Sequence, residues 1–244
     1  MRIRFTVLAL LLATPSSLVF AQSEHISTAR VSLAVGRLPS VVDMPLLFRL
    51  YRVSLPAGQL RSYDGSTAML YGLSGAPTID IDGTVQSLAE GTGAFIPAGK
   101  AATVGASASE PTNLLLFVLT PRPNQRKPLL DRPAVTTELY RTPEPLLGLQ
   151  AGPYELSLTR VTLPAGMPAD PPHFRSGAAL NYVLAGTGLF TAEGKTEPRT
   201  AGMPDFEPYG LVHQWANPGD APFVLLQANL SQEGIPAELP ASLK

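Results

Sequence analysis

The sequence contains no cysteine among its 244 residues, and only 15% of them are charged. Without cysteine the chain can form no disulfide bond and can carry no lipid-anchored cysteine. Globular domains average about 25% charged residues, so long, solvated helices are not expected here. The net charge is −1, and no run of lysine and arginine follows one face, which argues against a nucleic-acid partner.

Proline, in contrast, is abundant, with 25 residues. Short apolar runs such as Leu50–Leu55 end at turn sequences, here Pro56–Gly58. The pairs Asp82-Gly83 and Glu193-Gly194 are typical of hairpin turns, because glycine adopts a positive φ without strain. The pattern predicts an all-β chain of many short strands, arranged as a sandwich or a barrel.

The first 21 residues have the order of charge, apolar core and small residues that is typical of a secretory signal peptide. Arg2 and Arg4 precede the apolar run Phe5–Ala13, and Val19-Phe20-Ala21 forms a cleavage site before Gln22. The apolar run is shorter than the roughly 20 residues that span a bilayer. The sequence therefore predicts export to the periplasm or the extracellular space, with no membrane attachment after cleavage.

Two stretches of the sequence repeat one another in register, 111 residues apart. Upstream of the main block, Leu50–Gly58 reappears as Leu158–Gly166, and three additional residues separate the two blocks in the second copy. A self-match of this length indicates that one folding unit is used twice. The repeated positions are Tyr71, Leu73, Gly75, Gly83, Gly91, Phe95, Pro97 and Gly99, which recur without a gap as Tyr182, Leu184, Gly186, Gly194, Gly202, Phe206, Pro208 and Gly210.

The repeat predicts how the chain is divided, since 244 residues can hold two domains of about 100 residues each. The proline-rich linker carries a basic cluster that favours either an anionic contact surface or a solvated connector: Arg122, Arg126, Lys127 and Arg132. The predicted segments are a signal peptide (1–21), an N-terminal arm (22–46), a first barrel (47–120), the linker (121–153), a second barrel (154–230) and a tail (231–244).

The most specific motif is Gly202-x5-Pro208-x-Gly210-x2-His213-x3-Asn217. At every position it resembles the second sequence motif of the cupin superfamily. Cupin domains are small jelly-roll β-barrels. Since both halves of the chain share the repeat, the resemblance implies a bicupin, with two such barrels in tandem.

The segment before this motif, Gly166-x6-His173-x-Arg175-x3-Ala179-x6-Gly186, is similar to the first cupin motif, G-x5-H-x-H-x3-E-x6-G, with one residue added. In cupins, three histidines and one glutamate from the two motifs bind a divalent transition metal. By this resemblance His173 matches the first of these histidines. Arg175 replaces the second, and Ala179 replaces the glutamate.

The resemblance also assigns the last metal ligand, which His213 matches in the second barrel. In the first barrel Ala102 stands at the equivalent position, and no ligand histidine is kept. The implied metal site is therefore incomplete and restricted to His173 and His213. It is expected to bind zinc, iron or manganese weakly or not at all.

Strand alternation places residues 173, 175, 179 and 181 on one face, so Arg175 and Asn181 are expected to point inward with His173. Arginine stays protonated and cannot bind a metal, and at about 5 Å it would oppose a divalent ion by roughly 6 kcal/mol. With the glutamate missing, Arg175 is expected to be an unopposed cation. Together with His173, Asn181 and His213 it would bind a small, anionic organic acid. The candidates for the apolar wall are Val183, Leu184, Phe206 and Trp215.

Two functions remain open from the sequence. One is a binding protein for a small organic acid. The other is a metal-dependent cupin enzyme of the dioxygenase, decarboxylase or isomerase type that uses His173 and His213, to which Asp205 or Glu207 could add a carboxylate. The two histidines are also consistent with core residues left from a lost metal site. No catalytic residue is assigned, and the internal pairing of the barrels leaves homodimerisation open.

Overall fold

The computed structural model describes residues 27–132 and 134–241, and the predicted signal peptide lies outside them. Strands joined by tight turns make up most of this part, with one short 3-10 helix at Arg122–Asn124. The first strands are β1 (Ala29–Leu38), β2 (Leu46–Leu55), β3 (Leu60–Tyr63), β4 (Thr67–Ser74), β5 (Thr78–Ile81), β6 (Thr84–Ser87), β7 (Gly93–Ile96), β8 (Ala102–Gly105), β9 (Thr112–Pro121) and β10 (Val135–Arg141). The remaining strands are β11 (Tyr154–Leu163), β12 (His173–Arg175), β13 (Ala178–Ala185), β14 (Thr187–Ala192), β15 (Lys195–Thr200), β16 (Pro204–Glu207), β17 (His213–Ala216), β18 (Phe223–Gln232) and β19 (Glu238–Pro240).

The strands form two barrels, each built from a large and a small sheet. In the first barrel the strand orders are β10-β2-β9-β4-β7 and β3-β8-β5-β6. In the second barrel they are β1-β11-β18-β13-β16 and β15-β14-β17-β12-β19. The predicted all-β fold of two tandem jelly-roll barrels is therefore confirmed.

No helix within residues 27–132 and 134–241 has the length and the apolar character that a transmembrane span requires.

The predicted hairpin turns are present at equivalent positions of the two barrels. Asp82 and Glu193 both have a φ of 51°, and the glycines that follow them, Gly83 and Gly194, have φ values of 86° and 73°. Both central residues of each turn are thus left-handed, as a tight type I′ turn requires. These turns connect β5 to β6 and β14 to β15 in antiparallel register.

The two barrels exchange strands at their edges. β1, from the predicted N-terminal arm, pairs with β11 of the second barrel over Ala29–Leu38. β10, from the predicted linker, pairs with β2 of the first barrel over Val135–Arg141. The arm and the linker each add an edge strand to a large sheet, and the arm reaches the barrel in which the candidate site lies.

Apolar side chains fill the first barrel. Its core includes Tyr63, which lies opposite Ala102 in the antiparallel register of β3 and β8. In the second barrel, the corresponding pair is His173 opposite His213. A tyrosine and an alanine therefore take the places of the two histidines, and the first barrel presents a packed core at that position.

The large sheets of the two barrels pack face to face across a second core. Along β9, alternate side chains belong to different cores: Leu116 packs inside the first barrel and Phe117 in the core between the barrels. Burial on both faces explains the continuous apolar run Leu114–Leu119, in which no polar residue interrupts the strand. The two barrels thus share a core that neither could bury alone.

The interface between the barrels also follows the repeat. Arg52 of the first barrel donates a hydrogen bond to the hydroxyl of Tyr182 in the second. The repeat equivalents of these two residues, Arg160 and Tyr71, also lie close together across the interface, beside Gly91. The two halves therefore contact one another through equivalent surfaces, as the subunits of a two-fold symmetric dimer do.

Candidate functional site

The two histidines that the sequence singled out lie side by side inside the second barrel. His173 on β12 is opposite His213 on β17, and their ring centroids are 4.3 Å apart. The rings are oriented by backbone carbonyls: Nδ1 of His173 is 3.0 Å from the oxygen of Pro171, and Nδ1 of His213 is 2.9 Å from that of Leu211. If each Nδ1–H donates to its carbonyl, Nε2 carries the lone pair of the neutral ring. Both Nε2 atoms are buried and lack a hydrogen-bond partner.

Arg175 points into the barrel, as strand alternation predicts, and only 1% of the residue is exposed. Its Nε donates to Oε2 of Glu207 at 2.5 Å, and its Nη1 donates to Oε1 of Glu238 at 2.7 Å. Burial alone would lower the pKa of the guanidinium, but the two carboxylates raise it above its ordinary value. The prediction that Arg175 is an unopposed cation is therefore wrong, because two glutamates from other strands neutralise it.

Glu207 on β16 is the centre of the buried polar cluster. Besides Arg175, its carboxylate accepts hydrogen bonds from Nδ2 of Asn181 and Nε1 of Trp215, both at 2.8 Å. Burial would raise the pKa of this carboxyl, but the positive charges of Arg175 and His213 hold it well below its ordinary value. The residue is fully buried and ionised.

Glu207 supplies the carboxylate that the first motif of the second barrel lacks. It lies directly opposite Ala179 in the register of β13 and β16. Ala179 is the position that matches the glutamate of the cupin motif, so Glu207 brings a carboxylate to this place from the neighbouring strand. Sequence reasoning noted that Glu207 is near His213 in the chain but could not show that the side chain reaches. The available indication was alternation along β16, which turns Asp205 and Glu207 to the same face.

His213, unlike His173, lies within ion-pair distance of Glu207. Nε2 of His213 is 3.3 Å from Oε2 of Glu207, within ion-pair distance but without the geometry of a regular hydrogen bond. Burial lowers the pKa of the imidazole, but the carboxylate of Glu207 outweighs it and raises this pKa above its ordinary value. A protonated His213 would direct Nε2–H toward the carboxylate. The free imidazole lone pair in the barrel then belongs to His173.

The residues present do not fit the metal site of the cupin motifs. In the part of the chain that the structure describes, no three histidine, cysteine, aspartate or glutamate side chains are grouped so as to hold a metal ion. The nearby carboxylate of Glu207 already accepts hydrogen bonds on both oxygens, and Arg175 places a positive charge beside it. Two imidazoles next to a guanidinium make a poor site for a divalent cation.

A cleft of about 410 Å³ opens at the mouth of the barrel, with His173 on its wall. Part of its wall comes from segments that the sequence placed outside the barrel: Thr28 and Arg30 from the arm, and Glu238 and Leu239 from the tail. Arg30 is bound to Glu238, with Nη2 2.9 Å from Oε1. Sequence reasoning missed these residues because pairings of β1 and β19 with distant strands bring them to the site.

The loop before β12 closes one side of the cleft. Oδ1 of Asp170 accepts a hydrogen bond from the backbone N–H of Trp215 at 2.8 Å, and its backbone oxygen accepts one from Nε2 of Gln214. Burial raises the pKa of the Asp170 carboxyl. Two prolines, Pro171 and Pro172, follow and present apolar surface to the cleft. The loop is thus anchored to β17, which carries His213.

The other predicted site residues divide between two faces. Asn181 and Trp215 reach Glu207 as described, and Val183 packs with Trp215 inside the second barrel. Leu184 and Phe206 instead pack in the core between the barrels, so they do not line the site. Asp205 is also inside, bound to Arg199 at 2.6 Å, and burial raises the pKa of its carboxyl to about 6.

Comparisons with known proteins agree with this architecture. Residues 159–228 match the family model of the cupin domain, while a search of curated protein sequences gave no significant match. A variant of oxalate decarboxylase from Bacillus subtilis superposes with a TM-score of 0.55 at 13% identity, over 84% of this chain and 78% of that one.

A second similar structure is a salicylate 1,2-dioxygenase from Pseudaminobacter salicylatoxidans. It has a TM-score of 0.53 at 13% identity and covers 76% of this chain and 71% of that one. Another study of the Bacillus subtilis oxalate decarboxylase concerns its Mn(II) centres, with a TM-score of 0.53. At such identities the likeness concerns the fold. Residues 159–228 thus match the cupin domain, and the described part of the chain shares the two-barrel fold of these similar structures.

Proposed function

We propose that this protein is an exported bicupin that binds a small organic acid at the mouth of its second barrel. The observation that carries the proposal is the 410 Å³ cleft, which has the free imidazole of His173 and the guanidinium of Arg30 on its walls. Small-molecule sites are usually concave and apolar, with a few polar groups that fix orientation. The predicted signal peptide is the basis for the proposed export.

The chemistry of the cleft favours a carboxylic acid with a short apolar skeleton. Arg30 has a side chain that is 40% exposed, and of its five N–H groups only some are used by Glu238 and Gln227. The free N–H groups can bind a carboxylate, and the ring of His173 forms part of the same wall. Met167 and Leu239 provide apolar contact. The similar structures are named for enzymes of oxalate and salicylate, which are both organic acids.

The first test is a calorimetric titration of the mature protein with acetate, oxalate and salicylate. Arg30→Met is expected to weaken the binding of the best acid by about 10-fold or more, because a charge-assisted hydrogen bond contributes about 1.5–3 kcal/mol. Arg37→Met is the matched control, since Arg37 lies on the same strand and pairs with Glu233 but does not line the cleft. Binding that neither substitution changes, or that both weaken alike, would argue against this cleft.

The alternative function is a metal-dependent cupin enzyme. What favours it is the adjacency of His173 and His213, whose Nε2 atoms are buried without a hydrogen-bond partner. Zinc, iron and manganese can be measured by elemental analysis of protein purified without a histidine tag. We expect far less than one metal per chain, because Arg175 and the occupied carboxylate of Glu207 oppose binding. A stoichiometric metal that is lost in His213→Ala would support the enzyme instead.

A further inference from the structure

We infer that the second barrel has a carboxylate-binding site between Arg30 and Arg175. The side chain of Glu238 occupies this site, and a ligand carboxylate binds by displacing it. This inference rests on the proposed function and deepens it. It places the acid group of the ligand at a defined position and gives the C-terminal tail a role in binding.

The geometry around Glu238 is that of a bound carboxylate. Oε1 is 2.7 Å from Nη1 of Arg175 and 2.9 Å from Nη2 of Arg30, and Oε2 is 3.1 Å from the same Nη2. Two guanidinium groups therefore share one carboxylate. Arginine is the residue that most often binds carboxylates in this way, because its planar N–H groups match the two oxygens.

The segment that carries Glu238 buries little apolar surface. β19 has three residues and pairs with β12 at the edge of the small sheet. From residue 233 to residue 241 no side chain is fully buried. Regular backbone hydrogen bonds flank the strand at Ser176 N–H to Ala237 O and at Ala241 N–H to Pro172 O. Its displacement would expose little apolar surface, and stability within a protein is lowest where little apolar surface is buried.

The lack of free space beside the buried Arg175 explains why displacement is needed. Between Arg30, Arg175 and Trp215 the free volume is only about 10 Å³, which is room for about one water molecule. An organic acid therefore cannot contact Arg175 while Glu238 is in place.

Charge balance makes the site selective for carboxylates. Arg175 keeps its ion pair with Glu207, so exchanging Glu238 for a ligand carboxylate leaves the buried charge unchanged. A neutral or cationic ligand would leave Arg175 with one carboxylate fewer, and a buried charge that loses a partner is costly. The exchange therefore favours an anion over other ligands of the same size.

The test compares Glu238→Gln with Glu233→Gln, using oxalate as the probe and calorimetry as the measurement. Glu238→Gln removes the internal competitor's charge and is expected to lower the Kd for oxalate at least fivefold. Glu233→Gln, which lies on the same tail and pairs with Arg37, is expected to change it less than twofold. An unchanged or raised Kd in Glu238→Gln, or equal effects of both substitutions, would overturn the inference.

A second measurement uses the unaltered protein, so its result does not depend on whether the Glu238→Gln variant folds correctly. Hydrogen exchange of the mature protein should become faster at residues 237–241 when oxalate is bound, because the tail leaves its position. Slower exchange there would overturn the displacement even if binding occurs. If oxalate binds the unaltered protein but Glu238→Gln has no effect, only this inference fails. If oxalate, acetate and salicylate bind neither protein, the proposed function fails with it.

Discussion

The Glu207→Ala variant is expected to lose about 3–5 kcal/mol of the free energy of unfolding, because it removes the buried partner of Arg175. Arg175 would keep only Glu238, which is at the barrel mouth. The N–H groups of Asn181 and Trp215 would lose their acceptor inside the barrel, and unpaired buried donors add to the cost. Urea unfolding, followed by circular dichroism and by the fluorescence of Trp215, measures the loss.

Two controls separate the buried charge from other effects of substitution. Glu197→Ala removes another glutamate that pairs with an arginine, Arg199, but its side chain is 59% exposed, so a loss below about 1 kcal/mol is expected. Glu207→Gln keeps the shape of the side chain and one acceptor oxygen. Its loss in the free energy of unfolding should therefore lie between those of Glu207→Ala and Glu197→Ala. A Glu207→Ala protein as stable as Glu197→Ala would show that Arg175 is not held as described.

The contribution of the Glu207 carboxylate to the free energy of unfolding should depend on pH in a defined direction. The pKa of Glu207 is lowered in the folded protein from an ordinary value of 4.5. Its stabilising effect is therefore present above about pH 4.5 and is lost as the pH falls toward the folded pKa. The gap in stability between the unaltered protein and Glu207→Gln should accordingly narrow in acid.

The fold could be predicted because its evidence is local and repeated. Turn pairs such as Asp82-Gly83 fix hairpins through their own backbone conformation, and the gapless repeat requires that both halves fold alike. The inward direction of Arg175 also followed from alternation along one strand. Each of these inferences needs only residues that are close in sequence.

The electrostatics of the site could not be predicted, because they depend on which strands become neighbours. Arg30 and Glu238 are 208 positions apart in the sequence, and they meet only because β1 joins the second barrel while β19 joins β12. Glu207 reaches Arg175 from a third strand. The sequence thus identified the cation correctly and named Glu207 as a possible carboxylate of the site, but it placed neither Glu207 nor Glu238 beside Arg175.

The first barrel shows a smaller limit of the same kind. The gapless block begins only at Tyr71 and Tyr182, so it gives His173 no exact counterpart, whereas the structure places Tyr63 opposite Ala102 as His173 is opposite His213. A shift of one residue exchanges the two faces of a strand. Sequence comparison of the halves therefore showed that the histidines are absent, but it did not identify the tyrosine that fills their place.

The Phe117→Ala variant is expected to lower the stability of both barrels together, although the substitution lies in the first. Phe117 is fully buried in the core between the large sheets, and its truncation should cost about 3–5 kcal/mol. Trp215 is the only tryptophan of the chain and lies inside the second barrel. Its fluorescence therefore reports on that barrel alone, while circular dichroism reports on all strands.

If the shared core joins the barrels into one cooperative unit, the two signals should shift to lower urea concentration together in Phe117→Ala. Leu116→Ala is the matched control, since Leu116 is the preceding residue on β9 and is equally buried, but it packs inside the first barrel. In a single cooperative unit it too should shift the Trp215 transition. A Trp215 transition that stays in place in both variants would mean that the second barrel folds independently. The site would then owe its stability to the second barrel and to β1 without the core that the two barrels share.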